Sequence, residues 1–232
     1  MFKGKRVVVT GAAGALGKAV FQHFEKGGAR LVALDYSDDL LKTTFPDQAG
    51  GHEYLALDLT SRSSCEEVLG AVVAIDSVDV LCNIAGGFMM GEQVHETSDA
   101  TWDFLMNLNT RSIVNTSSVF VPHMVEAGGG KIINVAARAA NQGVAAMGVY
   151  TASKAAVMRL TEAMASELRE KNINVNCIMP GTIDTPRNRQ DMPDADYSKW
   201  VPPEQLANVV GFLASEAATA IHGASIPVDG LS

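Results

Sequence analysis

Short apolar runs alternate along the chain with segments whose apolar residues recur at helical spacing. Arg6 to Thr10 is a valine-rich run typical of a buried strand, and Leu16, Val20 and Phe24 follow on one face of a predicted helix. The other predicted strands are Arg30–Asp35, 53–57, 78–82, 131–135, 174–178 and 224–228. Alternating strands and helices are typical of a parallel sheet covered on both faces. We therefore predict one α/β domain over residues 1–232.

Two long helical patterns dominate the second half of the chain. The first covers 99–126 and is ended by glycines at 128–130, and the second covers 150–170. Shorter helices are predicted near 64–74 and over 204–214. Residues 182–201 are rich in proline, aspartate and asparagine, and we predict that they form a loop or lid beside the substrate.

Composition and charge exclude several classes of partner. The chain is 47% hydrophobic and 19% charged, which is ordinary for a globular protein. Its net charge of −8 and the lack of a basic run argue against nucleic acid or an anionic membrane surface. No run approaches the ~18 apolar residues that cross a bilayer. The cysteines are far apart and the histidines lack metal-ligand spacing, so we expect no disulfide framework, no metal and a cytoplasmic location.

A glycine-rich turn joins the first predicted strand to the first helix. Gly11 permits a tight turn, small residues after it let a pyrophosphate approach the backbone, and Gly17 lets the helix pack close to the sheet. The free N–H groups of the helix N-terminus would bind the phosphates. The residues predicted to contact the cofactor here are Gly11, Ala13, Gly14, Ala15, Leu16 and Gly17. A plain strand–helix turn is the alternative interpretation.

Asp35 ends the second predicted strand and bears on the choice of nucleotide. A carboxylate at this position can hold both ribose hydroxyls of NAD and repels the extra phosphate of NADP. Tyr36 stands where an arginine would favour NADP. We therefore predict NAD(H) in preference to NADP(H). The alternative is that Asp35 only caps the next helix.

Tyr150 and Lys154 are the candidate catalytic pair. Their spacing places them on one face of a helix. A free tyrosine has a pKa of ~10, and a nearby ammonium is expected to lower it by stabilising the phenolate. Two surface residues on a helix would show the same spacing. The catalytic interpretation therefore depends on the other motifs in the chain.

The other motifs occur along the chain in a fixed order and spacing. With the pair included, the motifs are Thr10 to Gly17, Asp35, Asp58-Leu59, Asn83 to Gly86, Asn109, Tyr150 to Lys154, Pro180-Gly181 and Ile226 to Gly230. In these motifs the chain resembles the short-chain dehydrogenase/reductase family over essentially its full length. The resemblance implies a Rossmann-type doubly wound parallel sheet in three layers. It also implies hydride transfer to or from a small-molecule substrate, with Tyr150 as acid/base.

The resemblance further implies roles for individual residues. Asp58 and Leu59 would contact adenine, and Asn109 would support a proton-relay water next to Lys154. The remaining residues implied to bind the cofactor are Asn83, Ala85, Gly86, Tyr150, Lys154, Pro180, Gly181, Ile183 and Thr185, of which Ile183 and Thr185 would meet the carboxamide. For Asp229, which follows the last predicted strand, the resemblance implies a role in that strand and in a subunit contact only. Family members pair through the two long helices, which implies a homodimer or homotetramer.

One position departs from the family. The family usually has a serine 13 residues before the tyrosine, where this chain has Ala137. That serine donates a hydrogen bond to the substrate oxygen, and losing one such donor can cost ~10² to 10³ in rate. Either the substrate does not need the donor or the protein is catalytically weak.

Dihydropteridine reductases, an NADH-using branch of the superfamily, also lack this serine. Residues 184–200 resemble the loop of these enzymes, and Arg138 stands where they carry a basic residue. Ala85 to Phe88 resembles their cofactor-side turn, with Phe88 in place of tryptophan, and Asn109 is retained. The implied acceptor is a quinonoid dihydropterin, with Phe88 stacking on its ring. Met192, together with Met89 and Met90, would line an apolar substrate pocket or serve only in packing.

Three hypotheses about function therefore stay open at this level. The chain reduces a quinonoid pterin or another imine, or it acts on a small carbonyl or secondary alcohol. The rival from another class is a weakly catalytic nucleotide-binding sensor or scaffold, which the alanine at 137 favours and the intact Tyr150, Lys154 and Asn109 oppose.

Overall fold

A seven-stranded parallel sheet organises the molecule, in the order β3-β2-β1-β4-β5-β6-β7. The computed structural model of the protein describes residues 1–47 and 50–231. The strands are β1 (Arg6–Thr10), β2 (Arg30–Asp35), β3 (Glu53–Ala56), β4 (Val80–Asn83), β5 (Gly130–Val135), β6 (Ile173–Pro180) and β7 (Ser225–Val228). The order reverses between β1 and β4, as in a doubly wound Rossmann-type sheet. The predicted fold class is confirmed.

Helices cover both faces of the sheet. They are α1 (Ala15–Lys26), α2 (Asp38–Thr44), α3 (Arg62–Ile75), α4 (Asp99–Met106), α5 (Ser112–Glu126), α6 (Gly148–Leu168), α7 (Pro186–Asp191) and α8 (Pro203–Leu213). One core cluster joins α1 and α8 to one face, and a second joins α3, α5 and α6 to the other. Val7 and Val9 point into the first cluster and Val8 into the second, because side chains alternate along a strand. The valine run of β1 is therefore buried on both sides, as parallel strands between helices require.

Two elements refine or correct the sequence prediction. Helix α2, expected after the second strand but without bounds, is short and buries only Leu41. Ser37 caps it by accepting a hydrogen bond from the Leu40 N–H, so the alternative that Asp35 is the cap is wrong. The predicted helix over 99–126 is interrupted by a π-helical turn at Asn107–Arg111. Such turns occur frequently at functional sites.

The segment 182–201 is more ordered than the loop that was predicted. It contains α7, which Thr185 caps and Pro186 opens, a start signal that was overlooked. A bridge between Ile183 and Val201 closes its base. Trp200 is only 8% exposed and packs against the Tyr197 ring, so it holds the end of this segment in place.

The described residues contain neither a membrane-spanning helix nor a cluster of metal ligands. In 1–47 and 50–231, none of the helices combines the length and apolar character needed to span a membrane. The same residues contain no group of three His, Cys, Asp or Glu side chains arranged to hold a metal ion.

Candidate active site

The residues singled out in the sequence converge at the carboxyl ends of the strands. The glycine turn follows β1, Asp35 ends β2, Asn83 ends β4, Ala137 follows β5 and Pro180 ends β6. In open α/β sheets, ligands bind in the crevice where the strand order reverses. Here that crevice lies between the ends of β1 and β4.

The glycine turn is too crowded for side chains. Gly11 has φ +62°, and a Cβ there would lie 2.8 Å from the Ala85 Cα atom. A Cβ on Gly17 would lie 2.0 Å from the Gly11 carbonyl oxygen. Gly14 precedes α1 and offers no side-chain cap, so the first N–H groups of the helix are left for another acceptor. The turn therefore has the shape and the donors of a phosphate cradle.

Asp35 is bonded to this turn. Its Oδ2 accepts a hydrogen bond from the Ala13 N–H at 3.0 Å, and its Oδ1 accepts one from the Tyr36 N–H at 2.8 Å. Two backbone contacts hold the carboxylate at the end of β2 while leaving it acceptor sites. The Tyr36 side chain is exposed.

Asp58 and Leu59 are held by local hydrogen bonds. Asp58 Oδ1 accepts from both the N–H and the hydroxyl of Thr60, at 2.9 and 2.6 Å. The Leu59 side chain is buried in the second core cluster, and its carbonyl oxygen accepts from Asn115 Nδ2 at 2.9 Å. The Asp58 carboxylate keeps acceptor capacity beyond its contacts with Thr60.

Asn83 corrects the sequence interpretation. Its side chain donates to Asn134 Oδ1 and accepts from the Thr116 hydroxyl, both at 2.9 Å, and Asn134 in turn donates to Thr161. This buried network ties β4 and β5 to α5 and α6. The amide of Asn83 is therefore committed to the fold and can contribute to a cofactor site only through its backbone.

Lys154 is buried beneath the crevice. Its Nζ donates to the Val135 carbonyl oxygen at 2.9 Å, and a Cβ on Gly86 would lie 2.9 Å from that Nζ. Gly86 therefore has to lack a side chain so that Lys154 reaches the end of β4. Burial lowers the pKa of the Lys154 ammonium to about 8.

Tyr150 precedes Lys154 on α6. Its ring meets the Phe88 ring edge-on, with centroids 4.8 Å apart. Burial raises the pKa of Tyr150 to about 12, so the expected lowering by Lys154 is not found. Burial is the cause of this rise, and the Lys154 ammonium is hydrogen-bonded to the Val135 carbonyl oxygen. At neutral pH the phenol is therefore protonated and suited to donate a proton.

Asn109 lies in the π turn. Its Nδ2 donates to the Gly87 carbonyl and to the Ser153 hydroxyl, both at 3.0 Å, and its Oδ1 accepts from the Gly87 N–H at 2.8 Å. A Cβ on Gly86 would lie 2.9 Å from Asn109 Oδ1 as well as from Lys154 Nζ. Asn109, Gly86 and Lys154 are thus neighbours. The contribution of Ser153 was not foreseen, because a serine inside a helix has no distinctive sequence signal.

Ala137 lies where β5 gives way to a 3₁₀ turn, Arg138–Asn141. Its side chain is 6% exposed and brings no hydrogen-bond donor to the site. The next residue, Arg138, pairs through Nε with Asp229 Oδ2 at 2.7 Å. Asp229 follows β7, so this ion pair joins the two strand ends on either side of β6.

The loop after β6 contributes the remaining predicted residues. Gly181 donates its N–H to the Val228 carbonyl at 3.1 Å, and Ile183 packs against the first core cluster. The Thr185 hydroxyl accepts from the Asn188 N–H at 3.1 Å while capping α7. Met192 ends α7 and is 41% exposed.

A small cavity of about 50 Å³ opens beside Tyr150. Met89 and Met90 line it, as expected of a soft apolar pocket, whereas Met192 is absent from its described lining. Glu92 also lines the cavity and was missed in the sequence. Its only signal is position, since it follows the Ala85 to Phe88 turn closely and precedes a helix start at Ser98.

Comparisons with known proteins agree with this geometry. The family profile described as short chain dehydrogenase matches residues 5–196. "Dehydrogenase/reductase SDR family member 6" of Danio rerio is 35% identical, over 98% of this chain and 96% of the relative. "NAD-dependent glycerol dehydrogenase" of Listeria innocua is 32% identical, over 97% and 92%. A crystal structure of a candidate NAD(P) dependent gluconate 5-dehydrogenase from Beutenbergia cavernae, with bound NADP at low occupancy, has a TM-score of 0.89 at 30% identity, covering 98% of this chain and 96% of that one.

Proposed function

Because the chain belongs to the short-chain dehydrogenase family, we propose that it is an NADH-dependent reductase of a conjugated imine, with quinonoid dihydropterin as the acceptor. Membership makes it an oxidoreductase of this family. The observation that carries the finer proposal is Ala137, buried at the end of β5 where the family usually has a serine. A site without this donor is poorly suited to a developing oxyanion.

The chain's own residues fit a nicotinamide dinucleotide. The crowding at Gly11 and Gly17 and the open N-terminus of α1 suit a pyrophosphate, and Asp35 suits a ribose diol. The cofactor, when bound, supplies the hydride. Gly86 has no side chain in the space that Lys154 Nζ and Asn109 Oδ1 occupy, which lets both polar groups lie beside the end of β4 where we place the ring end of the cofactor.

The proposed reaction is a two-electron reduction. The acceptor takes up a hydride and one proton across its conjugated C=N system, so that a C=N bond becomes a single bond and the nicotinamide is oxidised. Tyr150 donates the proton from its Oη atom, since burial holds the pKa of the phenol at about 12 and keeps it protonated. The resulting phenolate then takes a proton from solvent.

Lys154 and Asn109 support this transfer. In the resting site the Lys154 ammonium is bonded to Val135 and does not lower the Tyr150 pKa; we expect it to stabilise the phenolate only as that charge forms, from the same face of α6. Asn109 is fixed by three hydrogen bonds and holds the Gly86–Gly87 backbone against Lys154. Phe88, edge-on to Tyr150, offers an aromatic surface for a planar acceptor.

The preference for NAD(H) is part of the proposal. It is supported by the Asp35 carboxylate, which two backbone N–H groups hold at the end of β2, and by the exposed Tyr36 beside it. The two relatives whose names specify a cofactor differ in this respect. We expect catalytic efficiency with NADH to exceed that with NADPH by at least about tenfold, since an unpaired phosphate facing a carboxylate costs more than ~1.4 kcal/mol. Equal or greater efficiency with NADPH would contradict this.

The direct test is NADH-dependent reduction of chemically generated quinonoid dihydropterin, followed by loss of NADH absorbance. The Tyr150→Phe variant should lose turnover and retain NADH binding, measured by fluorescence titration. A protein that binds NADH but does not reduce the quinonoid pterin contradicts the proposal.

A small carbonyl or secondary alcohol is the second candidate, favoured by the names of the glycerol and gluconate relatives. The Ala137→Ser variant separates the two. If the native acceptor is an imine, the added hydroxyl should leave pterin reduction within about threefold while raising activity on ketones by ~10². High ketone or alcohol activity in the unaltered protein would favour the second candidate.

A further inference from the structure

The cavity beside Tyr150 contains a charge that the proposed reaction does not use. Its walls are mainly apolar and include Met89, Met90, Leu105 and Tyr150. Glu92 is the one acidic or basic residue in its described lining. The cavity is small, about 50 Å³, so it can take one group of a substrate rather than the whole of it.

Glu92 is held in place by neutral donors. Its Oε2 accepts from the Ser98 N–H at 3.2 Å, and its Oε1 accepts from the hydroxyls of Ser98 and Thr101 at 3.3 and 3.1 Å. In the described part of the chain, no lysine, arginine or histidine forms a salt bridge with it. The carboxylate is thus held by three hydrogen bonds and by no ion pair within the described residues.

Glu92 also supports the start of α4, because its carboxylate accepts the N–H of the capping residue Ser98. The three hydrogen bonds leave part of its acceptor capacity free beside a mainly apolar cleft. A carboxylate with spare acceptor capacity is a strong partner for a cation or an N–H donor, because charge-assisted hydrogen bonds are roughly twice as strong as neutral ones. A ketone or an alkyl chain gains nothing from it.

We infer that this cavity is a binding subsite for a cationic nitrogen group of the acceptor, recognised by Glu92. The inference rests on the proposed function in that the reacting atom lies at Tyr150. It narrows the substrate class to nitrogen compounds whose amine, amidine or guanidine-like edge lies beside the reducible bond. The edge enters the cavity and donates to Glu92 while the reacting atom stays at the phenol.

Binding of a matched pair of probes tests the subsite without requiring turnover. Benzamidinium and benzamide have nearly the same shape, and only the first is a cation. Calorimetry on the NADH-saturated protein should give at least about tenfold tighter binding of benzamidinium, since a hydrogen bond to a charged group contributes ~1.5 to 3 kcal/mol. The Glu92→Gln variant should abolish the difference. Glu96→Gln, which removes an exposed charge outside the cavity lining, should preserve it.

Equal binding of the two probes by the unaltered protein overturns the inference, as does a preference that persists in Glu92→Gln. Thermal unfolding of both variants shows whether the fold is kept. If Glu92→Gln does not fold, the unaltered protein still decides, because the preference should shrink as salt is raised and benzamidinium should compete with the acceptor. A protein that fails to reduce the pterin but discriminates between the probes refutes the proposed acceptor and leaves the subsite standing.

Discussion

At the scale of single residues, burial governs the chemistry of the site. Tyr150 and Lys154 share a face of α6, and removal from water shifts their pKa values in opposite directions. Burial disfavours the phenolate in one case and the ammonium in the other. The residue spacing predicted the pair, but the direction of the Tyr150 shift could not be predicted, because it depends on how deeply the fold buries the phenol.

The lowered pKa of Lys154 makes a prediction about pH. Its ammonium is lost as the pH rises through about 8, where a free lysine would still be charged. We therefore expect kcat/KM for reduction to fall above pH about 8, since this ratio reports the ionisation of the free enzyme. Lys154→Arg should move the falling limb to higher pH, because a guanidinium stays protonated. A flat profile between pH 7 and 10 would show that the charge of Lys154 is not required.

Glu92 and Ala137 show the limits of reading single residues. The absence of the serine was visible at once, because the family pattern fixes its position. The carboxylate at 92 stood outside every motif and acquired meaning only when the fold placed it in the cavity next to Tyr150. Substrate-facing residues of this kind depend on loop packing, which no local pattern specifies.

At the scale of elements, glycines differ in what they allow. Gly17 in α1 faces the Gly11 carbonyl, whereas Gly70 in α3 has open space where a side chain would go. The sequence alone predicted the first, because a glycine pattern follows a strand. It gave no reason to distinguish the second.

This difference gives a matched pair of substitutions. Gly70→Ala should raise the free energy of unfolding by ~0.5 to 1 kcal/mol, because alanine is the better helix former and meets nothing. Gly17→Ala should lower it by ~1 to 3 kcal/mol through overpacking, and should abolish NADH binding by displacing the turn. Urea unfolding and fluorescence titration measure both. Retained NADH affinity in Gly17→Ala would contradict the role of the turn.

Elements whose signals are local were predicted well. β1 and β2 were predicted with the bounds that the structure has, since apolar runs between turn residues define them. The π turn at Asn107–Arg111 and the order within 182–201 were not, because both depend on tertiary contacts. In 182–201, Arg189 forms an ion pair with Asp184 and lies over the ring of Tyr197. These contacts join residues five and eight positions apart, which no short sequence pattern specifies.

At the scale of the whole molecule, the sheet order brings five separate strand ends to one crevice, and the exposed apolar side of α4 and α5 is a candidate surface for assembly. Trp102 is 51% exposed, and Phe104 and Val114 are exposed on the same helical run. These side chains form part of the first long helix through which the sequence resemblance implied pairing. Apolar side chains exposed in this number are common at protein interfaces.

We predict that the protein is a homodimer or homotetramer that uses this helix. Sedimentation at micromolar concentration should give two or four times the 24.5 kDa chain mass. Trp102→Glu should lower that mass, because a charge cannot be buried unpaired at an interface core. Leu40→Glu, at an equally exposed apolar site on α2, should leave it unchanged. Because α4 also carries Thr101 and Leu105 into the cavity beside Tyr150, the Trp102 variant should lose affinity for the acceptor as it dissociates. A monomeric protein, or a Trp102 variant that stays fully assembled, would contradict this assignment of the interface.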